Sequence, residues 1–191
     1  MKGRRLLPHR SNLTLWLIVL GLSLGPAVSN GFARFAYGLV LPAMRDDLGW
    51  SYTEAGWINT ANAIGYLLGA LLALGLISRL GASFLFIAGM ALTALALIMS
   101  GLTQDFWLLS FWRVIAGIGG APVFIAGGVM ASALFREDKA KNALAIAVYF
   151  GGGGFGMIIC GVVLPYMVEW FVGAVWPLTW LLIGVLSFLC F

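Results

Sequence analysis

Long apolar runs, separated by only a few polar residues each, constrain this sequence more than any other feature. Six stretches reach the roughly 20 mostly apolar residues that cross a bilayer as helix: about Leu13–Met44, Thr53–Ile77, Ala82–Leu102, Phe106–Phe135, Ala143–Val168 and Gly173–Phe191. Residues 1–12 form a basic tail ahead of them, and 13–191 form the bundle. Apolar residues are 62% of the chain and charged ones 9%, against about 25% charged in a soluble domain. That excludes a water-soluble globule, and the aromatic content excludes a solvated coil. Backbone polar groups in lipid must be satisfied within a segment, which selects helices. The ~10-residue alternation of barrel strands is absent. The expected fold is an all-α polytopic membrane protein with six transmembrane helices.

Basic residues in short loops set orientation. With the N-terminus inside, the inner side collects Lys2, Arg4, Arg5, Arg10, Arg79, Arg136, Lys139 and Lys141, and the outer side holds Arg45 alone. The expected arrangement is multi-pass with both termini cytoplasmic. Trp50, Trp57, Trp107, Trp112, Trp170 and Trp176 are expected at the outer boundary as an aromatic belt. The basic start, the apolar run and Ala27-Val28-Ser29 imitate a signal peptide, but the apolar character continues to Leu41, past any cleavage site there. The net charge of +4 is a topology signal on this reading, and no nucleic-acid partner is expected. Cys160 and Cys190 lie in apolar runs without metal spacing, and His9 is the single histidine; no cofactor or metal is expected.

Arg34 and Arg113 fall inside apolar runs. An intramembrane charge costs at least ~2.5–3.5 kcal/mol at mid-span, so such groups face cavities and mark function. Arg34 is 11 positions before Arg45, ~16 Å along a helix, in the outer half of the bilayer. Asn30, Arg34 and Tyr37 are spaced i, i+4, i+7 and share a helical face. Asn59, Asn62 and Tyr66, spaced i, i+3, i+7, likewise share a face in the second run. Two polar faces suggest a wet path between helices. The competing reading has the arginines reaching outward to headgroups and the asparagines joining helix to helix.

Small residues carry a second message. Gly65 and Gly69 form G-x-x-x-G, extended by Ala61 and Ala73. Gly117, Gly119, Gly120 and Gly127 thin the fourth run, where Pro122 predicts a kink. The fifth carries Gly151 to Gly154, Gly156 and Gly161. Small faces let helix backbones approach closely in lipid. The glycine run lacks the Gly-Lys-Ser/Thr of a phosphate loop.

These residues resemble the N-terminal six-helix half of the major facilitator superfamily over nearly the whole chain. Arg113-Val-Ile-Ala-Gly117-Ile-Gly119-Gly120 is similar to the family's fourth-helix motif. Gly75-Leu-Ile-Ser78-Arg79-Leu-Gly81 is similar to its cytoplasmic loop motif, with Arg79 and Gly81 in place and Ser78 where an aspartate is usual. The fifth helix is glycine-rich like the antiporter motif but lacks its Gly-Pro step, so drug–proton antiport is not implied. Arg34-Phe-Ala-Tyr37-Gly-Leu-Val-Leu-Pro42 and Ala61-Asn62-Ala-Ile-Gly65-Tyr66-Leu-Leu-Gly69 are similar to a poorly characterised branch of bacterial inner-membrane permeases. The resemblance implies a twelve-helix protein working by alternating access, each half a 3+3 inverted repeat.

It further implies a secondary transporter in the plasma (inner) membrane, moving a small solute with ion coupling. Its partners would be the bilayer, a coupling proton and a second six-helix half or another copy of the chain. The family role of the fourth-helix arginine in coupling or substrate handling carries to Arg113. The face argument places Arg34, Asn30, Tyr37, Asn62 and Tyr66 at the solute. Arg79, Gly81, Gly117 and Gly119 serve gating, and Glu54, at the edge of the membrane, is the candidate proton carrier. Two intramembrane arginines without a mid-span acid favour an anionic or strongly polar solute. The apolar ending at Phe191 keeps a second expectation open: a half that is inactive alone or serves as a helix-bundle partner. A serine hydrolase reading of Gly21-Leu-Ser23-Leu-Gly25 lacks a base beside the serine, and the paired Asn-Pro-Ala loops of an aquaporin-like pore are absent.

Overall fold

The computed structural model describes residues 11–170 and 176–190, with the side chains of 168–170 left aside. Most of the basic tail, the side chains of Glu169 and Trp170, and Gly173 at the start of the last run therefore lie outside the described residues. The helices are Asn12–Leu48, Tyr52–Leu80, Ala82–Gly101, Phe106–Leu134, Lys139–Trp170 and Trp176–Leu189, numbered first to sixth below. Five are long and apolar enough to cross a membrane; Trp176–Leu189 is a shorter apolar helix.

Local chemistry sets the boundaries. Ser11 Oγ accepts from Thr14 N at 3.2 Å, Asp105 Oδ1 from Leu108 N at 2.7 Å and Asp138 Oδ1 from Lys141 N at 3.0 Å, each satisfying an orphan amide of a first turn. Ser51 and Glu54 form a reciprocal capping box at the second helix. Gly49 ends the first helix at φ 65° and Gly81 ends the second at φ 83°, left-handed conformations that a residue without Cβ adopts at little cost.

The first helix is not uniform. Ala27–Phe35 is π-helical, directly after Pro26, which has no N–H to give the preceding turn. The hydrogen bonds shift to five-residue spacing, ending with Ala36 N–H on Gly31 O. Sequence reasoning expected an ordinary helical face here; the backbone departs from α-helix after Pro26, and Phe106–Leu134 carries Pro122 within one helix.

The fourth helix is the hub, packing chiefly on the second and third, while the first pairs with the fifth and the third with the sixth. Glycines make these approaches possible. A Cβ at Gly65 would overlap the Val114 carbonyl, and one at Gly69 would stand 2.5 Å from Ile118 O. A Cβ at Gly117 would overlap Asn62 O from the other side. On the first–fifth pair, Gly152 meets Ser23 and a Cβ at Gly156 would be 2.6 Å from Ala27 O. Gly151, Gly154 and Gly161 meet nothing and face outward. The expected small-residue faces thus divide into packed and open sets. The first and second helices touch sparsely, and the candidate site lies along that seam.

Candidate functional site: a cleft between the first and second helices

A cleft of about 550 Å³ opens between the first and second helices, with Met157 of the fifth at one edge. Its polar lining is Asn30, Arg34, Tyr37 and Asn59. The π-helical segment contributes Asn30 and Arg34, the α-helix after it Tyr37. Gly38 and Gly56 leave the space open, having no neighbour within 4 Å of a Cβ position. Phe35, Leu39 and Leu41 supply apolar wall.

Arg34 is exposed, and its guanidinium carbon lies 5.3 Å from the centre of the Tyr66 ring. An aromatic face attracts the cation and leaves the in-plane N–H edges available. Among the described residues, the ion pairs are Arg45–Asp46 and Lys141–Asp138, so no carboxylate there neutralises Arg34. Tyr37 is buried, and its hydroxyl donates to Ala55 O at 2.6 Å, tying the first helix to the second. It therefore offers the cleft its ring and not a free hydroxyl.

Arg113 occupies a different environment. Sequence reasoning placed it beside Arg34 in a wet interior. In the structure it is 0% exposed, and Nε and both Nη atoms have no hydrogen-bond partner. Its guanidinium carbon lies 5.1 Å from the Tyr37 ring centre and 4.9 Å from that of Trp180. Trp180 donates its indole N–H toward Met44 Sδ at 3.4 Å, and Trp176 donates to Asp47 Oδ2 at 2.7 Å. The sixth helix thus turns two tryptophans inward; Trp176, at the start of that helix, is buried beside Asp47, while Trp107 is 71% exposed.

The remaining expected residues fall elsewhere. Asn62 is buried and donates Nδ2–H to Arg113 O at 3.0 Å, joining the second and fourth helices. Glu54 Oε2 accepts from Ser51 N at 2.8 Å and Ser51 Oγ at 2.7 Å, so its carboxylate is engaged in the cap and does not line the cleft. Arg79 is exposed at the end of the second helix beside Gly81. Gly117 and Gly119 are packing positions, a Cβ at Gly119 reaching within 2.6 Å of Thr93 Oγ1. Sequence reasoning missed Trp180, Gly38, Gly56 and Met157. The i, i+4 spacing of Trp176 and Trp180 and the i, i+3 spacing of Gly56 and Asn59 were the available signals.

The arrangement can bind and orient a solute; none of its residues forms a nucleophile–base pair. Residues 26–191 match the family described as "Uncharacterised MFS-type transporter YbfB". Among curated proteins, synaptic vesicle glycoprotein 2C of Homo sapiens is 23% identical over 150 residues, covering 78% of this chain and 20% of that protein. Synaptic vesicle glycoprotein 2A of Rattus norvegicus is 24% identical over the same length and shares. Synaptic vesicle glycoprotein 2B of Homo sapiens is 26% identical over 142 residues, 73% of this chain and 20% of that protein. The chain spans about a fifth of the length of these curated relatives.

Proposed function

We propose a function from one premise: this chain belongs to the major facilitator superfamily of membrane transporters. It supplies six helices of a secondary transporter that moves a small anionic solute across the inner membrane by alternating access. A second six-helix half, or another copy, completes the pathway and brings the coupling ion. Both termini lie on the cytoplasmic side, as the basic loop residues require.

One observation carries the reading. Arg34 projects into a cleft among membrane-crossing helices, is held by the Tyr66 ring and has no carboxylate partner among the described residues. A charge at this depth is expensive unless it serves a polar cavity. Asn30 and Asn59 flank it as amide donors. Arg113 is a positioning residue on this reading. It does not line the cleft and acts on the solute through Tyr37, which does and whose ring it lies over.

The test is uptake into proteoliposomes by the complete protein. Arg34→Gln abolishes it and Arg34→Lys retains part, while both variants insert and fold. Unchanged uptake by Arg34→Gln overturns the assignment.

A further inference from the structure

The chemistry of the cleft narrows the solute class, an inference that rests on the binding site assigned above. The lining brings one cation, Arg34, and no carboxylate. A single guanidinium neutralises a single negative charge, and a second charge taken from water without a partner is costly. A planar fork of N–H donors suits a carboxylate in two-point contact. The stacking of Arg34 on Tyr66 covers a face of the fork and spares its edges.

The rest of the wall is not built for a compact, strongly hydrated anion. Phe35, Leu39, Leu41 and Met157 are apolar, and the Tyr37 hydroxyl is committed to Ala55. At about 550 Å³ the open cleft has room for a drug-sized organic molecule held by a few fixed polar contacts. An ammonium group finds no carboxylate there. We propose that the cleft takes an amphipathic organic monoanion, one carboxylate on an apolar body. Arg34 holds the carboxylate, Asn30 and Asn59 add amide N–H donors, and Phe35 and Met157 cover the body.

The probe is 3-phenylpropionate, binding to the complete protein in lipid nanodiscs, with empty nanodiscs subtracted for partitioning into lipid. Competitors are 3-phenylpropanamide, 3-phenylpropylammonium, acetate and inorganic phosphate. The expected result is saturable binding of 3-phenylpropionate at least tenfold tighter than that of any competitor. Arg34→Gln weakens it at least tenfold, Arg34→Lys restores part of it, and circular dichroism matches wild type for both. The amide or the ammonium compound competing equally well overturns the monoanion, and acetate or phosphate competing equally well overturns the apolar body. In each of those cases, a loss of binding in Arg34→Gln leaves the site itself standing. Equal binding of the probe to wild type and Arg34→Gln overturns both the class and the site. Absence of saturable binding to wild type overturns the class.

Discussion

The guanidinium of Arg113 lies over the ring of Tyr37. The ring centre is 5.1 Å from the guanidinium carbon, and the same tyrosine lines the cleft that Arg34 enters. One aromatic side chain thus touches the buried charge and lines the cleft, and its hydroxyl is anchored on Ala55 O.

Tyr37→Phe and Tyr37→Leu separate the two contributions. Phe keeps the π face but loses the bond to Ala55, at a cost of about 0.5–1.5 kcal/mol. Leu also removes one wall of the Arg113 cage, a desolvated cation–π contact worth roughly 2 kcal/mol. Thermal unfolding in nanodiscs should rank wild type, Phe and Leu in that order. Solute uptake should survive in Phe and fall in Leu.

Arg113→Met tests whether the buried charge serves stability or transport. A buried charge without hydrogen bonds is costly to keep, and replacing such groups with apolar ones of similar volume is often neutral or stabilising. The Met variant should unfold at the same temperature or higher, yet the complete protein should lose uptake. A large loss of stability with uptake intact would show a purely structural arginine.

Gly65→Ala should separate the second helix from the fourth, because the added methyl overlaps the carbonyl of Val114 and backbone cannot swing aside as a side chain can. Overpacking of this kind costs about 1–3 kcal/mol. Gly151→Ala, whose methyl meets nothing, should leave the unfolding midpoint unchanged. The pair of midpoints is the measurement.

Glu54→Gln should leave both stability and the pH profile of uptake nearly unchanged, since glutamine also fulfils the capping-box role. A flattened pH profile in this variant would identify Glu54 as the proton carrier.

At the inner loop the Lys141 backbone N–H, and then its side chain, hold the Asp138 carboxyl below the ordinary aspartate value of 3.8. A depressed folded-state pKa contributes stability that is present above the unfolded value and lost as pH falls through the folded one. Carboxyl NMR titration should place the Asp138 midpoint below 3.8. Asp138→Asn should remove that part of the acid dependence of unfolding.

Hydropathy made the long helices legible to within a few residues, because the bilayer sets a length and capping residues punctuate it. The first helix reaches Leu48 where sequence reasoning stopped at Met44. Gly65 and Gly69 were legible because close approach in lipid selects for small residues. The cleft was legible in part: the i, i+4, i+7 set Asn30, Arg34 and Tyr37 does line it. The cage around Arg113 was not legible. In a helix that is apolar all round, periodicity does not separate the bundle side from the lipid side, so nothing marked Trp180 as facing Arg113. The π segment was hidden for a related reason: Pro26 announces a disturbance but not which hydrogen-bond register replaces the lost one.

The glycine contacts have a mechanical meaning. Where Gly65 and Gly69 lie on Val114 and Ile118, main chain rests on main chain, and no side chain is left between them to change rotamer and absorb a displacement. Those two helices behave as a welded unit, and the pairing of Gly152 and Gly156 with Ser23 and Ala27 welds another. The first and second helices meet only sparsely by comparison, so the width of the cleft between them is the least restrained dimension along that seam.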